Sequence, residues 1–166
     1  MAQVAVVTGA SSGIGKETAK ALAAQGWRVI ALGRDPARSA AAEAEIRAAS
    51  SGGAVDMIRA DLAVLAEAAR AAREIAALTG RIDVLVNNAG GVAALRHVTP
   101  EGNEGTFAGN HLGPFLLTDR LLPLLRAAAK NAPAGAVRII NTSSLAHESA
   151  PGFDWNDPQI DRKSVV

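Results

Sequence analysis

Val4-Ala5-Val6-Val7-Thr8-Gly9-Ala10-Ser11-Ser12-Gly13-Ile14-Gly15-Lys16 is the stretch that decides the fold. A short run of apolar, mostly β-branched residues passes through a glycine-rich turn. It then enters a segment with apolar residues at helical spacing: Ile14, Thr18, Ala21 and Leu22. Gly26 stands where a helix C-cap is expected. The reading is strand, turn, helix. Glycines let the chain reverse sharply and let backbone N–H groups approach a pyrophosphate. The start of the helix adds unpaired donors and the favourable end of the helix dipole. Thr8, Gly9, Ser11, Ser12, Gly13, Ile14 and Gly15 are therefore candidates for holding a dinucleotide, with Ser11 and Ser12 adding hydroxyl donors. A P-loop needs Gly at position 10 and Ser or Thr at position 17, where the chain has Ala10 and Glu17. The plain alternative is a glycine-rich turn that binds nothing.

Outward from this unit the same alternation continues. Arg28 to Leu32 and Val55 to Ala60 read as strands, as do Ile82 to Val86 and Val137 to Asn141. Between them, Pro36 opens an Ala-, Glu- and Arg-rich helix that fades at Ser50-Ser51-Gly52-Gly53. Leu62 to Leu78 is helical by composition, and Phe107 to Lys130 reads as a long helix with Pro114 kinking it and Pro123 bending it near its end. Strands alternating with helices imply βαβ units. The expected fold class is α/β, a doubly wound parallel sheet of Rossmann type, with strand order 3-2-1-4-5 and helices on both faces. Residues 1–149 form the expected dinucleotide-binding domain, and 150–166, rich in Pro, Gly, Asp and Asn, the expected loop or tail.

Composition narrows the classes. The chain has 166 residues, 49% of them hydrophobic, enough for one domain with a real core. A net charge of +1 gives no reason to expect nucleic acid or an anionic membrane as partner. No cysteine is present, so no disulfide framework or thiolate metal site is possible. No metal site is expected. No secretory signal and no apolar run of membrane-spanning length is visible, and a cytoplasmic location is expected. There is no tyrosine.

The second strand ends Leu32-Gly33-Arg34-Asp35. An NAD site usually places a carboxylate here for the ribose 2′-OH. Gly33 takes that place and Arg34 follows, and a guanidinium suits the 2′-phosphate of NADP. NADP(H) is the expected cofactor, with Asp35 keeping NAD(H) open.

Four more segments fall in register with the turn. They are Asp61-Leu62, Asn87-Asn88-Ala89-Gly90, Asn110 in the long helix, and Asn141-Thr142-Ser143-Ser144 after the fifth strand. Together with Thr8-Gly9-x-x-x-Gly13-x-Gly15 they resemble the short-chain dehydrogenase/reductase family over nearly the whole chain. Gly13-Ile14-Gly15-Lys16-Glu17-Thr18-Ala19, Gly109-Asn110-His111-Leu112-Gly113-Pro114-Phe115-Leu116-Leu117-Thr118 and Ser143-Ser144-Leu145-Ala146-His147 look like its retinol-dehydrogenase-like branch. The resemblance implies hydride transfer between NADP(H) and a small-molecule alcohol or carbonyl. It implies Asp61 on the adenine amino group with Leu62 beside the ring, Asn87 near the adenine ribose, and Ala89 and Gly90 under the cofactor. Asn110 would prop a water in a proton relay, and Ser144 would polarise the carbonyl. Other readings stay open. Asp61 can N-cap the following helix. Asn87 and Asn88 can form Asx turns, and Ser144 a turn or cap. Asn110 can satisfy backbone freed by a helix kink. His111 and His147 read as packing and loop residues.

The family's Tyr-x-x-x-Lys motif should follow Ser144. The sequence has no tyrosine, and Lys163 is the only lysine beyond Ser144. The resemblance implies that the motif would begin a few residues past Val166, so the sequence reads as the front part of a family member. Catalysis by these residues alone is expected to be weak or absent. A non-catalytic dinucleotide-binding module is the alternative. An open edge at the fifth strand is expected, with apolar surface on the helix around Phe115 to Leu125. A homodimer is expected of a longer form rather than of this chain.

Overall fold

A computed structural model describes residues 2–145, 148, 152 and 154–159. His147, and the parts of the expected 150–166 tail other than 152 and 154–159, lie outside the described residues. Five strands form one sheet: β1 (Val4–Thr8), β2 (Arg28–Gly33), β3 (Val55–Arg59), β4 (Val84–Asn87) and β5 (Arg138–Asn141). All neighbours run parallel, in the order β3-β2-β1-β4-β5. The expected doubly wound topology is the one observed. Val6 sits between Ile30 and Leu85 in the central register.

Both sheet faces are covered, which explains why β1 is apolar without alternation. On one face Val4, Val6, Ile30 and Leu32 pack with α3 (Leu65–Leu78) and α5 (Gly113–Ala129). On the other, Val7, Val29 and Ala31 pack with α1 (Gly13–Ala24) and α2 (Pro36–Ala49). α1, α2 and α3 bury several alanines in these clusters, among them Ala19, Ala23, Ala42, Ala68 and Ala71, and α5 contributes Leu117, Leu121 and Leu125. Gly26 has φ +82, the left-handed conformation expected of a residue just past a helix end. Asp35 caps α2, its side chain accepting the Arg38 N–H, and Pro36 occupies the first turn.

Three expected boundaries move. The helix read from Leu62 begins at Leu65, because Asp61 Oδ1 accepts the Ala63 N–H and holds a turn ahead of it. β4 begins at Val84 instead of Ile82: Ile82 N–H is spent on the Leu124 carbonyl of α5. The long helix starts earlier, as α4 (Gly105–Phe107), and passes through a π-helical segment, Ala108–Leu112, before α5. There the Gly113 N–H reaches five residues back to the Ala108 carbonyl. Pro114 lies in the first turn of α5 and Pro123 inside it. Thus the break expected at Pro114 takes the form of a wide turn just before it.

The exposure expected on α5 is confined to one side. Leu117, Leu121 and Leu125 are buried, whereas Phe115 is exposed, with His111 stacked between Phe107 and Phe115. β5 is exposed along its length, and among the described residues no strand pairs with its outer edge. No helix of the described residues is long and apolar enough to cross a membrane.

At the opposite end of the sheet, buried Asp83 accepts the Val4 N–H at 2.8 Å and pairs with Arg81. Asp83→Ala leaves both donors without their acceptor. The expected outcome is a loss of about 2–3 kcal/mol in urea unfolding, with the m-value unchanged.

Candidate functional site

A groove of about 650 Å³ opens at the carboxyl ends of the strands. It lies where β1 is flanked by β2 on one side and β4 on the other, so the helices leaving β1 and β4 go to opposite faces of the sheet. Such a switch point leaves a crevice between diverging loops, the usual seat of ligands in open α/β sheets.

The glycine turn forms the floor. Gly9 has φ +67, and a Cβ there would stand 2.9 Å from the Ala89 Cα. A Cβ on Gly15 would stand 2.5 Å from both the Gly9 carbonyl oxygen and the Asn88 amide nitrogen. A side chain at Gly9 would collide with Ala89 at the start of the β4–α4 segment, and one at Gly15 would push α1 off the turn. Gly9, Ser11, Ser12 and Ile14 line the groove. Ser12 precedes α1 without a side-chain cap, and the first of that region's N–H groups to find a helical partner is that of Lys16, on the Ser12 carbonyl. The preceding N–H groups are the unpaired donors that a helix start offers.

Thr8 and Asn87 are placed differently from the sequence reading. Thr8 is fully buried, and its Oγ1 accepts the N–H groups of Asn88 (3.0 Å) and Ala89 (2.9 Å) while donating to the Val86 carbonyl. It ties β1 to β4 and does not line the groove. Asn87, expected at the ribose, donates instead to Thr118 Oγ1 and Asn141 Oδ1, both at 3.0 Å, and joins β4 to α5 and β5. Its neighbour Asn88 lines the groove, donating to the Thr8 carbonyl and accepting from the Thr142 hydroxyl. The alternation of side chains along the chain at the end of β4 turns Asn87 to α5 and β5 and Asn88 to the groove. Gly13 and Gly15 are not in the lining either: Gly13 is exposed where the turn enters α1, with φ +53, and Gly15 is buried against Gly9 and Asn88.

At the far end, Gly33, Arg34, Asp61 and Leu62 line the groove together. Asp61 is held three ways. Its N–H donates to Glu67 Oε2 at 2.8 Å, its Oδ1 accepts from Ala63, and its Oδ2 stands 3.4 Å from Arg34 Nη1. The capping alternative is thus met in part: Asp61 caps a turn four residues ahead of Leu65, where the helix starts, and Val64 is the N-cap residue itself. Asp35 is not in the lining; its carboxylate is spent on the start of α2.

The segment between β4 and α4 makes the other wall. Ala89, Gly90, Gly91, Val92, Ala93 and His97 line it. Asn110, in the π-helical segment, clamps this wall: its Oδ1 accepts the Gly91 N–H and its Nδ2 donates to the Gly91 carbonyl, both at 2.9 Å. Asn110 lines the groove; Ser144, three residues beyond β5, does not. Glu101 accepts the Ala66 N–H at the start of α3. Gln159 reaches back to the Glu104 N–H at 2.6 Å and to Asn103. The sequence reading missed Asn88, Thr142, His97 and Arg38. Asn88 and Thr142 lay inside motifs already singled out, whereas a histidine in an irregular segment carries no periodic signal.

Glu104 is buried at the start of α4 and accepts the Thr106 and Phe107 N–H groups at 2.9 and 2.7 Å. Burial works to raise its carboxyl. The hydrogen bonds from Thr106 and Phe107, with the charge of His97, outweigh burial and hold it below the ordinary 4.5.

The family model described as short chain dehydrogenase matches residues 3–153. The chain belongs to that family. It is 41% identical over 152 residues to retinol dehydrogenase 13 of Homo sapiens, covering 92% of this chain and 44% of that protein. In solved structures it is similar to the Pseudomonas aeruginosa RhlG/NADP active-site complex, with TM-score 0.73 and 38% identity over 90% of this chain and 57% of that one. It is also similar to NADH-dependent reductase A1-R′ complexed with NAD, with TM-score 0.74 and 31% identity over 91% of this chain and 63% of that one. The chain spans about 44% of the length of the curated relative and 57–63% of these two structures.

Two outcomes are expected. Thr8→Val keeps the shape but strands two N–H groups and should cost about 1–3 kcal/mol, read by denaturant unfolding. A carboxyl depressed on folding stabilises the fold above its ordinary value and loses that contribution as pH falls through the folded value. Stability should therefore drop as pH falls below 4.5. Glu104→Gln should be weaker at neutral pH and show a shallower drop, measured by urea unfolding at pH 7 and about pH 3.5.

Proposed function

We propose that this chain is the dinucleotide-binding part of an NAD(P)-dependent oxidoreductase that acts on a small-molecule alcohol or carbonyl, with NADP(H) preferred and NAD(H) accepted. The observation that carries the reading is one continuous groove joining the Gly9–Ser12 turn, the Gly33-Arg34 corner and the Asn88–Gly91 wall. A cradle that no Cβ can enter at Gly9 and Gly15 suits a flat pyrophosphate approach of the ligand to backbone. The NADP and NAD complexes among similar structures support the same cofactor class.

In this reading, backbone N–H groups of the turn, with Ser11 and Ser12, hold the pyrophosphate. Thr8, Gly13 and Gly15 shape that turn without touching the ligand. Arg34 faces the 2′-phosphate. Asp61 and Leu62 receive the adenine, with Asn88 replacing Asn87 near the ribose and Ala89 and Gly90 running beneath. When bound, the nicotinamide supplies or takes the hydride. Asn110 fixes the wall through Gly91 and lies at the groove, and Ser144 is the hydroxyl for the substrate oxygen. Proton transfer at that oxygen needs a further acid–base group. In the family resemblance that group is a tyrosine, and the 166 residues contain none. The same count favours a second reading, a dinucleotide-binding module without chemistry of its own.

Titration with NADPH and NADH, followed by nicotinamide fluorescence, tests the proposal. Saturable binding with slow or absent alcohol oxidation is expected. Failure of both cofactors to bind would sink the binding claim. Brisk turnover by the 166-residue chain would show that one of its own side chains transfers the proton, and would sink the reading of a module without chemistry of its own.

A further inference from the structure

A second cavity lies at the opposite end of the sheet from the groove, at the amino ends of β1 and β2. Its volume is about 530 Å³, within the range of small-molecule sites. Val4 of β1 and Arg28 of β2 line it, as do Arg81 and the end of α3. Val4 pairs with Arg28 in the sheet. On the other side of β1, Asp83, two residues after Arg81, donates its N–H to the Val4 carbonyl. β2 and β4 lie about 10 Å apart across β1. One arginine therefore rises on each side of the start of β1, within reach of a common point.

Both guanidinium groups hold donors in reserve. Arg28 Nη2 donates to Asp56 at 2.9 Å, and Arg81 Nη2 donates to Asp83. These are single contacts, whereas a guanidinium has five N–H donors and can grip a carboxylate with two. The Nε–H of each arginine is buried and has no partner among the described residues. Buried donors are nearly always paired, yet here both orphans belong to the two cations that flank one cavity. Neither Asp56 nor Asp83 is in the lining, so both charges presented to the cavity are positive. The rest of the lining narrows the ligand. Ala2, Val4 and Leu78 give the cavity an apolar side. The Thr79 hydroxyl is spent on Arg81, donating to its carbonyl and accepting its N–H. α3 ends here at Leu78, and the negative end of its dipole opposes a multiply charged anion. A single carboxylate on a short apolar body suits this combination, whereas inorganic phosphate would leave the apolar side unused.

We propose that this cavity is a binding site for a small organic monocarboxylate. Arg28 and Arg81 hold the carboxylate with the donors that their ion pairs leave over. Ala2, Val4 and Leu78 cover the apolar body. The site is separate from the groove and stands whether or not the groove takes a dinucleotide.

Titration of the full chain with acetate, propionate and butyrate tests the proposal, followed by calorimetry and by NMR of the arginine Nε–H groups. One saturable site per chain is expected, tightening about threefold to fourfold with each added methylene. The Nε–H signals of Arg28 and Arg81 should move together. Arg28→Gln should weaken butyrate about tenfold, the size of one lost charge-assisted contact. Gly80→Leu leaves both ion pairs in place and sets a side chain in the cavity wall, so butyrate binding should be lost. An ideal Cβ on Gly80 meets nothing within 4 Å, and that variant is expected to fold. Circular dichroism checks the fold of both variants. Butanol bound as tightly as butyrate, phosphate bound more tightly than butyrate, or an unchanged butyrate affinity in either folded variant overturns the proposal. So does the absence of saturable carboxylate binding, or binding that moves neither Nε–H signal. If a variant fails to fold, the ligand series and the Nε–H signals of the parent chain decide.

Discussion

Two backbones and one amide meet at a point that admits no side chain. The Gly9 carbonyl and the Asn88 amide close in on the space a Gly15 Cβ would need, so α1 can lie down on the end of β1 only if position 15 lacks a Cβ, and Ala89 closes in likewise on position 9. This contact sets the height of α1 above the sheet and hence the depth of the groove. Thr8 fixes the other side of the same joint, because one hydroxyl receives two N–H groups from the start of the β4–α4 segment. Substituents that would be harmless in a surface turn are therefore excluded over a stretch where β1, α1 and β4 converge.

The sheet was legible because its information is local and repeated. Apolar runs of strand length, glycine and proline at the boundaries, and the strand–turn–helix sequence at Val4 to Lys16 agree on one topology. Which residues face the groove was less legible. Asn87 and Asn88 are adjacent and chemically identical, and only the phase of the pleat decides which one turns to the crevice. Thr8 carries a motif position yet spends its hydroxyl within the fold. Asp35 looked available for a ribose and is consumed by its own helix. Thr8 and Asp35 spend their polar groups on backbone partners and Asn87 on the side chains of Thr118 and Asn141, and sequence spacing cannot say which partner wins.

Cofactor recognition and acid–base chemistry are physically separable in this architecture. The groove is assembled from the ends of β1 to β4 and from Asn110, with Thr142 at the end of β5, all within the first 142 residues. In the proposed reading, proton transfer needs a side chain that these residues do not supply. β5, exposed along both Ile139 and Ile140, marks the side of the sheet that these residues leave uncovered.

The π-helical segment at Ala108–Leu112 acts as a phase shifter. Residues seven apart in an unbroken α-helix share a face. Asn110 and Leu117 are seven apart, yet Asn110 lines the groove and Leu117 is sealed in the core. One extra residue in a single wide turn rotates the upstream end against the downstream end without a new loop. The apolar stripe of Leu117, Leu121 and Leu125 keeps its grip on α3 while an amide is turned to the groove. Helix rotation, rather than a change of side chain, thus gives one continuous element both a core face and a groove face.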